Sequence, residues 1–586
     1  MAPIGKTCRA ITIQFPIKFI DFIFIDMAEP QQPSETPSAP TPLSGPPARR
    51  PRRRLAAALT VAAVLIAAVL AGCGGGGGSS STTSSSPNAN GNTGESQTTA
   101  AATSEEGGAP SGTLGWSTAA PTAWDPVTSA AGNDVSDLSL VYASLTRLSP
   151  EGDAEPALAS KWEFSKDGLT FNIFLKKGLK FTDGTPVNAE AVKINLERGE
   201  HESDSLIIPY LEVIKSIKVV NPYEVSLSLK EKDYVLPLVL GGKVGMIVSP
   251  KAIKDNVKGL ATQPVGAGPF ELTDYTAPTS ATLVRNPGYW DAKNIHLEGV
   301  DLKFFTDEQA LLSSLLSGQV QLANIGGEQV QTVESAGFEV DEFPSLHVAS
   351  IEVNDKMAPF DNHLVVEAVN YAIDRETLLQ TLAGGHGEVV DQAFPPGYSA
   401  YNDSVAEYYK YDPDKAKELL KQANYDGTPI TITWAEFPSI NIQAESEQLQ
   451  AQLEAVGIKS TLKSIPSAQL AEEVYVKHDV QFNPNGIVGR EAPSQMLETQ
   501  YAADGLLNPG RDASPELTKA LDAVATFEVG TPQYEAALQE ATKLATEQSA
   551  NIMLFTQPFL LAHTSSLTGL KPWIETPRLE GVRLSE

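Results

Sequence analysis

Histidine, cysteine and serine at defined spacings are the residues through which most chains perform nucleophilic, acid–base or metal chemistry, and this sequence of 586 residues arranges them for none of it. Its seven histidines, at 201, 296, 347, 363, 386, 478 and 563, include no pair spaced to ligate a metal from one helical face, and no His-Glu-x-x-His occurs. A Gly-x-Ser-x-Gly nucleophile elbow is absent too. With 72 Asp and Glu against 43 Lys and Arg, neighbouring carboxylates are expected by chance and single out no acid–base pair. The reading is a protein that is not an enzyme and carries no metal or cofactor. A net charge of −29 repels phosphate backbones and anionic headgroups, so nucleic acid is excluded as a partner.

One cysteine does stand where chemistry is expected. Arg49, Arg50, Arg52, Arg53 and Arg54 precede an apolar run, 55–71, interrupted only by Thr60 and closing in Leu70-Ala71-Gly72-Cys73. Positive charge stays on the cytoplasmic side while an apolar segment is exported. The small residues before Cys73 resemble the lipobox of bacterial lipoproteins, whose cysteine sulfur takes a diacylglyceryl group and becomes the mature N-terminus. Residues 27–72 are thus expected to be a lipoprotein signal peptide, although the run is also about long enough for an uncleaved membrane anchor. Residues 1–26, whose apolar run is broken by Pro16, Lys18 and Asp21, read as an over-extended start. A twin-arginine route is the weaker alternative, because Pro51 splits the cluster. Either way the rest of the chain lies outside the cytoplasm, and on the lipoprotein reading it is held to the membrane by a lipidated Cys73. Only Cys8 remains besides Cys73, so no disulfide is expected and a large apolar core must carry stability.

Residues 73–111 are rich in Gly, Ser and Thr and cannot bury enough apolar surface to offset the entropy of ordering, so they are expected to be a disordered tether. Structure should begin near Gly112. Strands are expected at 114–117, 214–220, 224–230, 430–434 and 460–465, and a hairpin at 161–176 turns on Asp167-Gly168. Helices are expected at 136–148, 188–198, 307–317, 362–382, 413–422, 440–456, 515–529 and 532–550, with Pro413, Pro515 and Pro532 in first turns. This alternation points to α/β layers.

Six stretches in this order carry a resemblance: WEFSKDGLTFNIFLKKGLKFTDGTPVNAEAVKINLER (162–198), VGAGPFELTDYTAPTSATLVRNPGYWDAKNIHLEGVDLKFF (265–305), LLSSLLSGQVQLANI (311–325), NDKMAPFDNHLVVEAVNYAIDRETLL (354–379), YDPDKAKELLKQANYDGTPITITW (411–434) and LQAQLEAVGIKSTLKSI (449–465). Together they resemble the extracytoplasmic solute-binding proteins of the peptide/nickel/oligopeptide ABC importers. The resemblance implies an α/β, two-lobed periplasmic-binding-protein-like fold with a discontinuous first lobe and a ligand cleft between lobes. It places lobe one at 112–345 with an inserted subdomain, lobe two at 346–560, and a C-terminal return at 561–586, with crossings near 343–354 and 559–566. It further implies a monomer that captures a peptide or peptide-like solute by closing, then delivers it to the permease and ATPase subunits of an importer. A sensor or adhesion lipoprotein on the same fold, or an importer component for an oligosaccharide, remains open.

On the same resemblance, peptide binders read the free amine with an aspartate in the stretch that here is DVQFNPNGIVGREAPSQML (479–497). Aligning Pro493 and Leu497 puts Gly489 at that position, beside Arg490. A glycine next to an arginine does not neutralise an ammonium group, so the expected solute is a carboxylate, a blocked peptide or an uncharged molecule. Arg490 is a candidate to hold an anion through a bidentate contact, or else a surface arginine in a loop. Trp124, in the loop TAWDP, and Trp434, ending a lobe-two strand, are candidate cleft aromatics. Tyr142 and Asn354 complete the candidate set. Trp162 and Trp290 belong to shared motifs and read as core. The nickel-type members read a metal chelate with arginine and histidine, and no histidine falls in the matching stretch.

Overall fold

The structure, a computed structural model, describes residues 109–305, 307–436, 442–573 and 577–585. The export signal, Cys73 and the tether up to residue 108 lie outside the described residues, while Ser111, at the expected end of the tether, donates its N to His296 O at 2.9 Å. Local sequence rules build the first motif. Apolar residues at every second position bury Phe171, Ile173 and Leu175 on one face of the strand Thr170–Leu175. That strand pairs with Ala159–Phe164, bringing Phe164 opposite Phe171 with ring centroids 4.5 Å apart. The turn needs a residue of positive φ, and Gly168 supplies +74° while Asp167 Oδ1 accepts from Ser165 Oγ at 2.6 Å. Glu224–Leu229 and Ile214–Asn221 extend the hairpin to a four-stranded antiparallel sheet.

Two larger sheets organise the rest. The first has seven strands in the order Glu339–Phe343, Phe559–His563, Leu322–Asn324, Thr113–Thr118, Gly299–Phe304, Ser280–Arg285 and Phe270–Thr276. The second has five, Ser460–Pro466, Ile430–Glu436, Phe482–Ile487, Val348–Val353 and Ile552–Thr556, with an apolar cluster between it and the helices His363–Ala372, Arg375–Leu382, Pro413–Gln422 and Ile442–Ala455. The chain leaves the first sheet through 344–347 and returns through 557–558, so that sheet takes strands from both ends of the sequence. The fold is two-lobed and its first lobe is discontinuous. The two connectors are tied together: Gln557 N donates to His347 O at 2.8 Å and Ser345 Oγ donates to Gln557 O at 2.5 Å.

Helix starts follow their caps. Asp412, Ser514 and Thr531 accept from the third amide of the helices opening at Pro413, Pro515 and Pro532, at 2.9, 3.0 and 3.3 Å. The helix expected at 515–529 stops at Val524, and two others end early for a tertiary reason. The one expected at 136–148 is Val135–Val141, followed by the strand Thr146–Leu148. Gly268 N donates to Val141 O at 2.8 Å, and Gly266 and Gly268 approach that carbonyl too closely for any side chain, so the helix gives up its last acceptor to another segment. The one expected at 362–382 splits into His363–Ala372 and Arg375–Leu382. Asn370 O, which a continuous helix would give to residue 374, instead accepts Arg375 Nη1 at 3.1 Å, while Asp374 N turns to Gln452 Oε1 at 2.7 Å.

Arg375 is buried and also donates to Met553 O at 2.8 Å and pairs with Asp391 at 3.4 Å, fastening helix to sheet. Removing one member of such a pair strands the other charge. Arg375→Ala is therefore expected to lower the unfolding free energy by about 3–5 kcal/mol, measured by guanidinium denaturation followed by tryptophan fluorescence.

Candidate functional site

The segment 117–134 of the first lobe is held by ionic and hydrogen-bonded clamps. Arg198 Nη1 donates to Asp125 Oδ1 at 3.0 Å and its Nη2 to Oδ2, an interior bidentate pair that fixes the TAWDP loop. Asp134 accepts from Thr122 N at 3.1 Å, Ser129 Oγ at 2.6 Å and Ala131 N at 3.3 Å. Lys243 Nζ donates to Ser129 O at 3.0 Å and Ala131 O at 2.9 Å, and burial lowers its pKa against the pull of Asp134 and Glu491.

Against this loop comes the segment that follows the second-lobe strand Phe482–Ile487. A Cβ on Gly132 would stand 3.0 Å from Val488 Cγ1 and 3.4 Å from Arg490 Nη1, so the two lobes touch here. Burial raises the Tyr210 phenol and Arg490 opposes that rise, which again sets Arg490 beside the first lobe. Its Nη1 also folds back onto Val488 O and Gly489 O, both at 3.2 Å. Gly489 has no room for a side chain, since its Cβ would fall 2.3 Å from Leu346 Cβ in the connector.

Arg490 thus lies in the seam between lobes. Trp434 is buried at the end of Ile430–Glu436 that points toward the same seam, its strand running parallel to Phe482–Ile487. Trp124 and Tyr142 lie in the interior of the first lobe: the indole meets Tyr275 edge-on at 5.8 Å, and Tyr142 Oη donates to Trp124 O at 3.0 Å. Tyr142 also borders a first-lobe cavity of about 40 Å³, with Tyr289, Trp290 and Trp573, which has room for a few waters and not for a peptide. Trp290 lies under Lys176 Nζ at 3.6 Å. Asn354 organises a turn, donating to His478 O at 2.9 Å and accepting from Lys356 N at 3.1 Å.

Two features of the second sheet had no counterpart in the sequence reading. Phe482–Ile487 pairs along its length with Val348–Val353 but meets Ile430–Glu436 only at Ile432↔Phe482, so among the described residues its other edge has no strand partner from Asn483 onward. Val348–Val353 is buried at all six positions, yet its fifth residue is Glu352. Its carboxylate accepts from Tyr475 Oη at 3.0 Å on both oxygens, Asn483 Nδ2 at 2.8 Å and Asn485 Nδ2 at 3.1 Å. Burial pushes Glu352 up to about 7 against those donors. A lone charge inside an apolar strand was the available signal.

Residues 153–505 match the model of the bacterial extracellular solute-binding proteins, family 5 (middle). The chain belongs to this family. It is 29 % identical over 455 residues to a glutathione-binding protein, GsiB, of Salmonella choleraesuis, covering 74 % of this chain and 86 % of that one. Among solved structures it is similar to DppA of Helicobacter pylori in complex with the peptide STSA (TM-score 0.72, 23 % identity, 81 % of this chain and 98 % of the other). It is likewise similar to the oligopeptide-binding protein AppA of Bacillus subtilis with a nonapeptide (TM-score 0.71, 21 % identity, 82 % and 100 %). Family 5 proteins are extracytoplasmic solute-binding components of ABC importers and not enzymes.

Because Leu346 occupies the space beside Gly489, an added methyl must displace the connector. Gly489→Ala is expected to cost about 1–3 kcal/mol of stability, read as a lowered midpoint in thermal unfolding of the solute-free protein.

Proposed function

We propose that this chain is the lipid-anchored, monomeric solute-binding subunit of an importer for peptide or peptide-like solutes, closing its two lobes on the solute and presenting it to the permease. The observation that carries the reading is the open edge of Phe482–Ile487 beside the tied connectors. An extended peptide adds to such an edge through main-chain hydrogen bonds, while neighbouring pockets read its side chains. Arg490 in the adjoining seam offers a guanidinium for a carboxylate, and Gly489 leaves the amine-reading position of the resemblance without an acid. The glutathione-binding relative and the two peptide complexes support this solute class. Lobes joined by two short connectors close by hinge bending, which buries the solute and gives the permease a surface that differs between loaded and empty states. A diacylglyceryl group on Cys73 holds the protein close to its permease and raises the effective concentration there.

Mass spectrometry of the solute co-purified with the native protein, combined with scattering before and after its removal, tests the reading. A peptide-like solute and a more open empty form are expected; identical profiles or an oligosaccharide would count against it. For a solute carrying a carboxylate, Arg490→Ala is expected to weaken binding by at least about tenfold, ~1.4 kcal/mol, by calorimetry. Cys73→Ser is expected to abolish palmitate labelling and release the protein from membranes, with uptake of the identified solute falling in parallel.

A further inference from the structure

Several interior acids among the described residues have an arginine, and Asp137, which has none, stands beside the acid Asp134. Asp125 faces Arg198, Asp391 faces Arg375 and Glu580 faces Arg578 at 3.1 Å. Glu352 departs from that pattern. It is 2 % exposed, and what surrounds its carboxylate is neutral: Tyr475, Asn483 and Asn485. No charged group contributes to its titration; burial raises it and the three neighbours lower it. Glu445 is also buried with a raised pKa, but it adjoins 437–441, which lie outside the described residues.

A second observation points the same way. Asn483 is 1 % exposed, and its Oδ1 has no hydrogen-bond partner among the described residues. Exchanging the amide's oxygen and nitrogen would not help, because Nδ2 is committed to Glu352 Oε2 at 2.8 Å. An unpaired buried acceptor costs roughly 1–3 kcal/mol, and here it lies beside a carboxylate that lacks a counter-charge. Both groups call for a donor from outside the chain.

The cluster has a route to the open strand edge. Glu352 lies opposite Asn483 and Ser350 opposite Asn485, so the polar side chains form one column on one face of the paired strands. Asn485 is half-buried and Gly486 exposed, next to Gln557 of the connector. Tyr475 comes from the turn of helix Ala471–Val476 and is itself half-buried, so it can shift without unpacking the sheet. The Coulombic attraction between a carboxylate and a cation is strong in such a low-dielectric setting.

We infer that Glu352, framed by Tyr475, Asn483 and Asn485, is the cation-accepting subsite of the solute cleft and seats the ammonium end of a zwitterionic, peptide-like solute. The assignment rests on the peptide reading above. It supplies the acid missing at Gly489 from a different strand and leaves Arg490 for the opposite end of the solute. When Glu352 is protonated, the entering ammonium displaces that proton to solvent and the carboxylate–ammonium pair remains. When it is already ionised, no proton moves. Because burial holds empty Glu352 up to about 7 and a bound cation lowers it, affinity for an α-ammonium rises with pH through that value and falls again as the ammonium itself deprotonates near 8.

The test uses calorimetric titration of the full-length protein with tetra-alanine and with N-acetyl-tetra-alanine between pH 5.5 and pH 8.5. For the free-amine peptide, whose own ammonium titrates near 8, affinity is expected to peak near pH 7.5 and to fall about sixfold by pH 6, with proton release below the maximum detectable as a buffer-dependent heat. Acetylation should remove both effects. Glu352→Gln is expected to bind tetra-alanine at least about tenfold more weakly at pH 8 with no fall from pH 7.5 to pH 6, and to bind the acetylated peptide as the native protein does. Folding of the variant is checked by thermal unfolding. A carboxyl whose folded pKa is raised stabilises below its unfolded value and loses that contribution as pH rises through its folded one, so Glu352→Gln should melt no lower than the native protein at pH 8. If it melts lower, Tyr475→Phe is used instead: losing a donor to the carboxylate should move the midpoint of the pH dependence upward. Equal binding of the two peptides by the native protein overturns the Glu352 assignment, as does a pH profile unchanged in both variants. Binding of neither peptide overturns the peptide reading beneath it.

Discussion

Two hydrogen bonds between residues more than two hundred positions apart govern how the halves of this protein relate. Gln557 N on His347 O, and Ser345 Oγ on Gln557 O, tie the outgoing and returning connectors side by side where the backbone passes between the large sheets. The sheets therefore share a paired link and not two independent tethers. Bending across that link is permitted, while sliding or twisting one sheet against the other would break the bonds. His347, half-buried in the connector against Phe559 at 5.4 Å, is held down to about 4 by desolvation alone and stays neutral through the ordinary range of pH. The link is thus insensitive to proton concentration where Glu352 is sensitive, so a pH effect on solute binding need not act through the hinge.

The same connector shapes the seam. Leu346 follows Ser345 and fills the space that a side chain at 489 would occupy. Packing around the link and the chemistry of the neighbouring loop are therefore coupled. An aspartate at 489 would need a different residue at 346, and Arg490 is set where it is because the backbone before it runs flush against the connector. The clamps on the first-lobe side, Arg198 on Asp125 and Lys243 under Ser129 and Ala131, keep the opposing loop rigid. A rigid loop facing a rigid loop is the arrangement in which a solute loses least entropy on being enclosed.

Much of the fold was legible because its rules are local. Asp167-Gly168 specifies a turn whatever surrounds it, and the caps before Pro413, Pro515 and Pro532 start helices without help from distant segments. Where the reading failed, a distant group had taken a backbone atom: Gly268 claimed the carbonyl of Val141, and Arg375 claimed that of Asn370. Apolar periodicity cannot register either event. The site was less legible still. Trp124, a candidate cleft aromatic by its loop, and Tyr142 both lie in the first-lobe interior, which neither residue type nor position in the sequence reveals. The Glu352 cluster depends on a pairing between residues 131 positions apart, and in so acidic a chain one more glutamate attracts no notice until its burial is known.

Charge in this protein therefore acts on two scales. The overall excess of acid sets solubility and the sign of the long-range field, and it would look much the same if any one surface carboxylate were moved. Interior acids are different, because each must overcome the loss of its hydration, and Asp125, Asp391 and Glu580 do so with an adjacent arginine. An arginine partner fixes a structure permanently; neutral donors, as around Glu352, lower the cost of the charge without satisfying it. That distinction separates Asp391, which fastens a helix to a sheet, from Glu352, which is left with unspent affinity for a cation. Stability alone would favour replacing Glu352 by a neutral residue of its size, so its presence in a fully buried strand has its rationale in what the cleft encloses.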